Sequence, residues 1–399
     1  MAMSFDRNQY LRELETIVNI DSGSRNPAGT REVAAFLEEK YRQQGFLTEL
    51  VSVGPEVGPV LVATNAQDEP IDLLFIGHTD TVFLDGEASR RPFKIEGERL
   101  YGPGVYDMKG CSLLTAYLLE NLPGKLKQSL NICVIHNPDE EISSFYSREV
   151  IIEKAKMSKF AFVMEPSSAD GSMIKERKGI EKLKIHFKGR PSHAGDAPQE
   201  GRSAINELAH WIVRMNTLID YDAGVSVNAG TIQGGSVPNV VPEHAQMELD
   251  YRYSNPADVT AFFDMLEELQ SHATEMEIGI NIEVIGKRPP MVDVPGAKAL
   301  RSVFEDVGKQ IDTFVSFKKS GGVSDANFTT SVGVPTVCSI GLIGGAFHTD
   351  HEYVELDSIQ QRLDLLTAVI AEMNRRKMFC ESADRLPYRE PQRCRYEKL

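Results

Sequence analysis

Two hydrophobic periods lie in this chain, one nested inside the other, and the nesting limits the folds open to it. On the outside are short, mainly apolar runs bounded by turn residues, at 71–76, 130–135, 160–164 and 336–340. Such runs read as strands. Between them lie helical patterns. Tyr10, Leu11, Leu14, Ile17 and Val18 recur at helical spacing, Thr30 is placed to cap a helix over 31–44 that Gly45 ends, and 110–122 reads as an apolar helix. Alternating strands and helices predict an α/β layer fold, with ligands gathered beyond the carboxyl ends of the strands.

The inner segment alternates instead. Leu183, Ile185 and Phe187 face one way, Lys182, Lys184 and His186 the other. Met247, Leu249 and Tyr251 oppose Glu248, Asp250 and Arg252, and Ile278, Ile280, Ile282 and Val284 repeat the pattern. These are half-buried strands with one polar face. Helical patterns over 203–218 and 257–272 complete a strand, helix, strand, strand, helix, strand order, which is ferredoxin-like. The chain is therefore expected to form a discontinuous α/β domain, 1–177 and 289–399, with an α+β domain inserted at 178–288. The polar, basic residues from Lys377 onward read as a surface tail.

A length of 399 residues agrees with two domains. The net charge of −15 argues against a general nucleic-acid partner, which wants a basic surface. Cys111, Cys133, Cys338, Cys380 and Cys394 are odd in number and irregular in spacing, so they read as reduced thiols of a cytoplasmic protein rather than a disulfide framework. The N-terminus lacks the basic-then-apolar pattern of a signal segment, and no run is long enough to span a membrane.

Three of the four apolar runs lead into His or carboxylates. The first ends in Gly77-His78-Thr79-Asp80, where Asp80 is placed to hold the second nitrogen of a ligating His78. Alone, the pair reads equally as a satisfied surface contact. Asp107 follows Gly102 and Gly104 at the start of the apolar helix, and alone it reads as an N-cap. The run at 130–135 leads to Asp139-Glu140-Glu141, where adjacent carboxylates need a cation or a solvated turn. The run at 160–164 delivers Glu165, and a glycine-rich loop carries His348. Mixed nitrogen and oxygen donors suit Zn²⁺, with Mn²⁺ or Co²⁺ as substitutes.

These segments resemble a known family. GHTDTVF, YGPGVYDMKG, the acidic triplet at 139–141, MEP at 164–166, GRPSHAG at 189–195 and GGAFHTDHEY at 344–353 are similar to the zinc aminoacylase and carboxypeptidase metallopeptidases. That group includes glutamate carboxypeptidases, acetylornithine deacetylases and succinyl-diaminopimelate desuccinylases. The match runs in order from about residue 10 to 375. Through RPFKIEGERLYGPG and GGVSDAN the likeness is nearest to bacterial glutamate carboxypeptidases. Met108 departs from those relatives, which have an acidic residue there, but the Asp-x-Lys-Gly frame is kept.

The resemblance implies a di-zinc exopeptidase-like α/β catalytic domain with an inserted ferredoxin-like α+β dimerisation, or lid, domain. It implies two Zn²⁺ per subunit, bridged by Asp107, with His78 and Glu165 on one ion and Glu141 and His348 on the other. Glu140 would be the general base, Asp80 would orient His78, and the Asp107–Met108 peptide would be cis. His193 from the partner chain of a homodimer, Asn239, Arg252, Gly322 and Ser324 would contact the substrate. The implied reaction is hydrolysis of an amide next to a free carboxylate, in a peptide or N-acyl amino acid, with Arg252 gripping that carboxylate in a two-pronged contact. Deacetylase, desuccinylase, dipeptidase and N-carbamoyl hydrolase activities remain open at this stage, as does an inactive metal-binding scaffold.

Overall fold

A computed structural model describes residues 5–66, 70–273 and 277–380. The chain divides into two compact units. The second consists of Arg177–Pro290 with Gly321–Val323, and the other described residues form the first.

Among the described residues, eight strands make the larger of two sheets in the first unit. Their order is Leu47–Val51, Val60–Thr64, Ile132–Asn137, Ile71–His78, Ser158–Val163, Thr336–Cys338, Met173–Arg177 and Phe317–Ser320. Ile71–His78 is central and runs parallel to both neighbours. Its alternate residues enter two cores. Leu73 and Phe75 join Tyr10, Leu37, Leu113 and Leu366, from four helices on one face. Leu74 and Ile76 join Ile151 and Phe328 on the other. Burial on both faces is why this strand reads as apolar rather than alternating.

Two helix starts show how local chemistry sets the boundaries. Asp6 caps Arg7–Val18 by accepting from the Gln9 N–H at 3.0 Å. The next helix, Pro27–Gln43, begins earlier than expected, because Asn26 is the cap and Pro27 holds the first helical position. Thr30 lies inside it and donates to the Asn26 carbonyl.

In the second unit Gly179–Lys188 is flanked by His244–Tyr253 and Gly279–Arg288, and Ser226–Gly234 forms the far edge beyond His244–Tyr253. All three pairings are antiparallel. With helices Ala204–Met215 and Pro256–Ser271, this is a ferredoxin-like unit. Its apolar face packs on Trp211, Phe262 and Leu266.

Residues 377–380 are not a free tail. Phe379 is buried against Phe160, and its carbonyl accepts from Lys159. The tail from 381 onward, with Cys394, lies outside the described residues. Cys111, Cys133, Cys338 and Cys380 are free thiols. No described helix is long and apolar enough to cross a membrane.

Candidate metal centre

The carboxyl ends of three parallel strands deliver the site. His78 ends the central strand, Glu140 and Glu141 follow Ile132–Asn137, and Glu165 follows Ser158–Val163. Asp107 stands in a turn just before helix Gly110–Asn121, and its peptide to Met108 is cis, as the resemblance implies. Gly104 makes the turn feasible. Its φ is 74°, and a Cβ there would lie 2.6 Å from the Thr81 methyl. His348 comes from a loop that passes through positive φ at Ala346 and at His348 itself.

Two groups of donors meet at Asp107. His78 Nε2 lies 3.2 Å from Asp107 Oδ1 and 3.9 Å from Glu165 Oε1. His348 Nε2 lies 3.3 Å from Asp107 Oδ2 and 3.2 Å from Glu141 Oε2. Two ligands about 2.0–2.1 Å from a tetrahedral ion sit about 3.3–3.4 Å apart, so this spacing suits a small divalent cation.

The electrostatics agree. Burial opposes ionisation of Asp107, but hydrogen bonds to His348 and His78 outweigh it and hold its carboxyl low. Burial, with help from Asp107, pushes Glu141 up to about 8, and its buried Oε1 has no partner among the described residues. His348 is raised to about 10 by Asp107 and Glu141. Three carboxylates so close hold together either by sharing protons or by sharing cations, and the donor set fits cations.

Asp80 organises this cluster. Its Oδ1 lies 3.2 Å from His78 Nδ1 and accepts the Glu140 N–H at 3.1 Å. Its Oδ2 accepts the Glu141 N–H at 3.1 Å and the Ser24 hydroxyl at 2.6 Å. With Nδ1–H donated towards Asp80, His78 turns the lone pair of Nε2 to Asp107 and Glu165.

Two contributors escaped the sequence reading. Ser24 is one. Glu352 is the other: fully buried, it accepts the backbone N–H groups of Gly104, Tyr106 and Asp107 at 3.2, 2.8 and 2.9 Å. It lies within a motif of the resemblance, four residues after His348, but nothing in its spacing marks that task. Asp139 turns away to bond Tyr146 and Ser147, so the acidic triplet divides its labour.

The proposed substrate contacts divide between the units. His193, Asn239, Arg252 and Gly322 are in the second, Ser324 in the first. His193 is exposed, and its Nδ1 accepts from the N–H groups of Gly195 and Asp196 at 3.1 and 3.0 Å. Those donors place the ring proton on Nε2, although the Asp196 carboxylate is 3.4 Å from Nδ1. Asn239 is exposed, and its carbonyl accepts from Ala194. The Nε and Nη2 edge of Arg252 is already taken by Asp250 at 2.9 and 3.1 Å, and Nη1 donates to Gly321. A two-pronged substrate contact is thereby restricted to the outer Nη1 and Nη2 edge. The Gly322 carbonyl accepts from Arg177. Ser324 is buried, with its hydroxyl accepting from Ala326 and lying 3.2 Å from Cys338 Sγ, so that side chain serves the loop.

Comparison with known proteins matches this arrangement. The model of peptidase family M20/M25/M40 matches residues 74–372. Carboxypeptidase G2 of Pseudomonas sp. (strain RS-16) is 31% identical over 380 residues, 93% of this chain and 91% of that protein. Succinyl-diaminopimelate desuccinylase of Rickettsia massiliae (strain Mtu5) is 24% identical, over 89% of this chain and 97% of that protein. The fold is similar to aminopeptidase PepT of Bacillus cereus, with a TM-score of 0.73 at 23% identity, covering 92% of this chain and 99% of that one. It is also similar to an M20 family metallo-carboxypeptidase of Sulfolobus solfataricus, with a TM-score of 0.72 at 18% identity and the same coverage. The matched span holds every residue that converges on Asp107, and the chain belongs to the M20/M25/M40 peptidase family as a metallopeptidase of carboxypeptidase-like kind.

Proposed function

We propose that this enzyme is glutamate carboxypeptidase-like, cleaving an amide next to a free carboxylate in C-terminal or N-acyl glutamate-type substrates, with two zinc ions per subunit and Glu140 as general base. The observation that carries the reading is Asp107, whose two oxygens face separate histidine–carboxylate pairs. His78, Asp107 and Glu165 would hold one ion, and Asp107, Glu141 and His348 the other, with Mn²⁺ or Co²⁺ as substitutes. Ions bound there supply Lewis acidity, which lowers the pKa of water towards neutrality and polarises a carbonyl.

The chain's own residues do the rest. Glu140 shares a turn with Glu141 but belongs to neither donor group, and Asp80 grips the backbone of both. It accepts the proton of the attacking water and passes it to the leaving amine. His193, reaching the site from the partner subunit of a homodimer built through the second unit, donates its Nε2–H to the oxyanion. Arg252 meets the substrate carboxylate through its outer edge, beside Asn239 and Gly322.

A second reading is N-succinyl or N-acetyl hydrolysis, favoured by desuccinylase relatives at 24–27% identity. A panel of N-acyl glutamates, peptides, N-succinyl-diaminopimelate, acetylornithine and N-carbamoyl amino acids, each with Zn²⁺, Mn²⁺ and Co²⁺, separates the two. The highest kcat/KM on a C-terminal glutamate supports the proposal; preference for the succinyl substrate replaces it. Glu140→Gln tests the base. Metal content should stay at wild-type level while the rate falls about 10²–10⁴-fold. Normal turnover would remove Glu140 from that role.

A further inference from the structure

Arg362 lies in the helix Ser358–Arg375 and is 1% exposed. Its Nη2 donates to the Gly171 carbonyl at 2.8 Å. Nε and Nη1 are buried and reach no partner among the described residues. A buried guanidinium normally has a carboxylate, because an uncompensated charge in the interior costs several kcal/mol.

Among the described residues no carboxylate is paired with Arg362. The groups that bear on Arg362 are Cys111 and Tyr106, a thiol and a phenol that are neutral near pH 7 at their ordinary pKa values. The Tyr106 hydroxyl is committed to the Ser167 carbonyl. Cys111 Sγ faces the Tyr106 carbonyl and accepts from Leu342. Asp357, at the head of the same helix, is turned outward to Arg7 at 3.0 Å. Burial lowers Arg362 only to about 10, so it stays charged.

We propose that Arg362 binds a small inorganic anion of the halide class at Nε and Nη1, inside the catalytic unit. The wall near the Gly171 end of Arg362 is apolar, with Ile343 and Phe314 packed about that glycine. A carboxylate or phosphate needs several further donors to replace its water. A monatomic, weakly hydrated anion needs fewest. Phe314 also lines an open cleft of about 1180 Å³ together with Lys298, Lys309 and Ser316. Tyr106 precedes Asp107, so the anion would brace the turn that carries the metal centre.

The test uses the full-length, metal-loaded enzyme at fixed ionic strength, with chloride replacing gluconate. At tenfold excess over its dissociation constant, chloride should raise the thermal midpoint by about 1–2 °C. Arg362→Met should abolish that response, with a midpoint in gluconate at or above wild type, because no buried charge remains. Wild-type crystals in bromide should show an anomalous peak within hydrogen-bond reach of Nε and Nη1. Equal chloride responses in both proteins, or no peak beside Arg362, overturns the proposal. If Arg362→Met does not fold, the bromide map of the wild type decides alone.

Discussion

Glu352 offers a prediction whose size can be worked from its hydrogen bonds. Oε1 accepts the N–H groups of both Tyr106 and Asp107, whereas Oε2 accepts only that of Gly104. Glu352→Ala leaves three donors without an acceptor. At about 1–3 kcal/mol each, less what an entering water restores, local opening should become easier by about 3–6 kcal/mol. Glu352→Gln keeps Oε1 but sets an amide N–H₂ against the Gly104 N–H, so it should lose about 1–2 kcal/mol at that amide alone. Hydrogen exchange on metal-free protein reads this without reference to activity. At 1.4 kcal/mol per tenfold, Ala should lower protection at all three amides by about 10²–10⁴. Gln should lower only Gly104, by about tenfold. If Gln strips all three alike, the charge rather than the pattern of acceptors holds the turn. If Ala leaves protection unchanged, Glu352 does not hold it.

Metal analysis tests Asp107: its Ala variant should lose both ions and Glu165→Ala mainly one, while loss of a single ion in both would remove Asp107 as the bridge. Glu181 sets a pH dependence in the second unit, since burial raises its carboxyl from 4.5 to about 7 against the pull of Lys287 and Tyr253. Its stability contribution is full below about pH 4.5 and lost as pH rises through 7, about 3 kcal/mol in all. Trp211, the chain's one tryptophan, reports that unit, so its denaturation midpoint should fall between pH 5 and 8 and flatten in Glu181→Gln; an unchanged slope refutes this. If the proposed homodimer forms, His193→Ala and Glu140→Ala proteins should each be nearly inactive, and on exchanging subunits should recover about a quarter of wild-type activity, since half the dimers are mixed and each has one complete site. No recovery despite demonstrated exchange would place His193 in its own chain's site, or in none.

What the sequence revealed and what it concealed follow from burial. The strands ending at His78, Asn137 and Val163 are covered on both faces, so their apolar runs are visible and lead straight to the site. The edge strand Leu47–Val51 has no fully buried residue, and no apolar run marks it. Thr30 looks like a cap because threonine caps helices, yet Asn26 followed by Pro27 makes the stronger start. Arg252 shows the opposite failure. Its place on a polar strand face was legible, but the claim of Asp250 on its Nε edge was not, although the two are only two residues apart.

The proposed metal ligands and their supports differ in how they can be read. His78, Glu141 and Glu165 act where a strand stops, so a local pattern points to each. Glu352 acts on backbone N–H groups up to 248 positions away, and a backbone donor leaves no mark in sequence. Asp80 lies between these cases. A ligating histidine calls for a carboxylate, which is enough to suggest Asp80 from His78 alone. That rule is silent on the other contacts Asp80 makes, to Ser24 and to the backbone of Glu140 and Glu141. Through them one carboxylate sets both the tautomer of His78 and the position of the proposed base. Glu140 and His78 are therefore positioned together, and a change in the loop carrying either one reaches the other through Asp80.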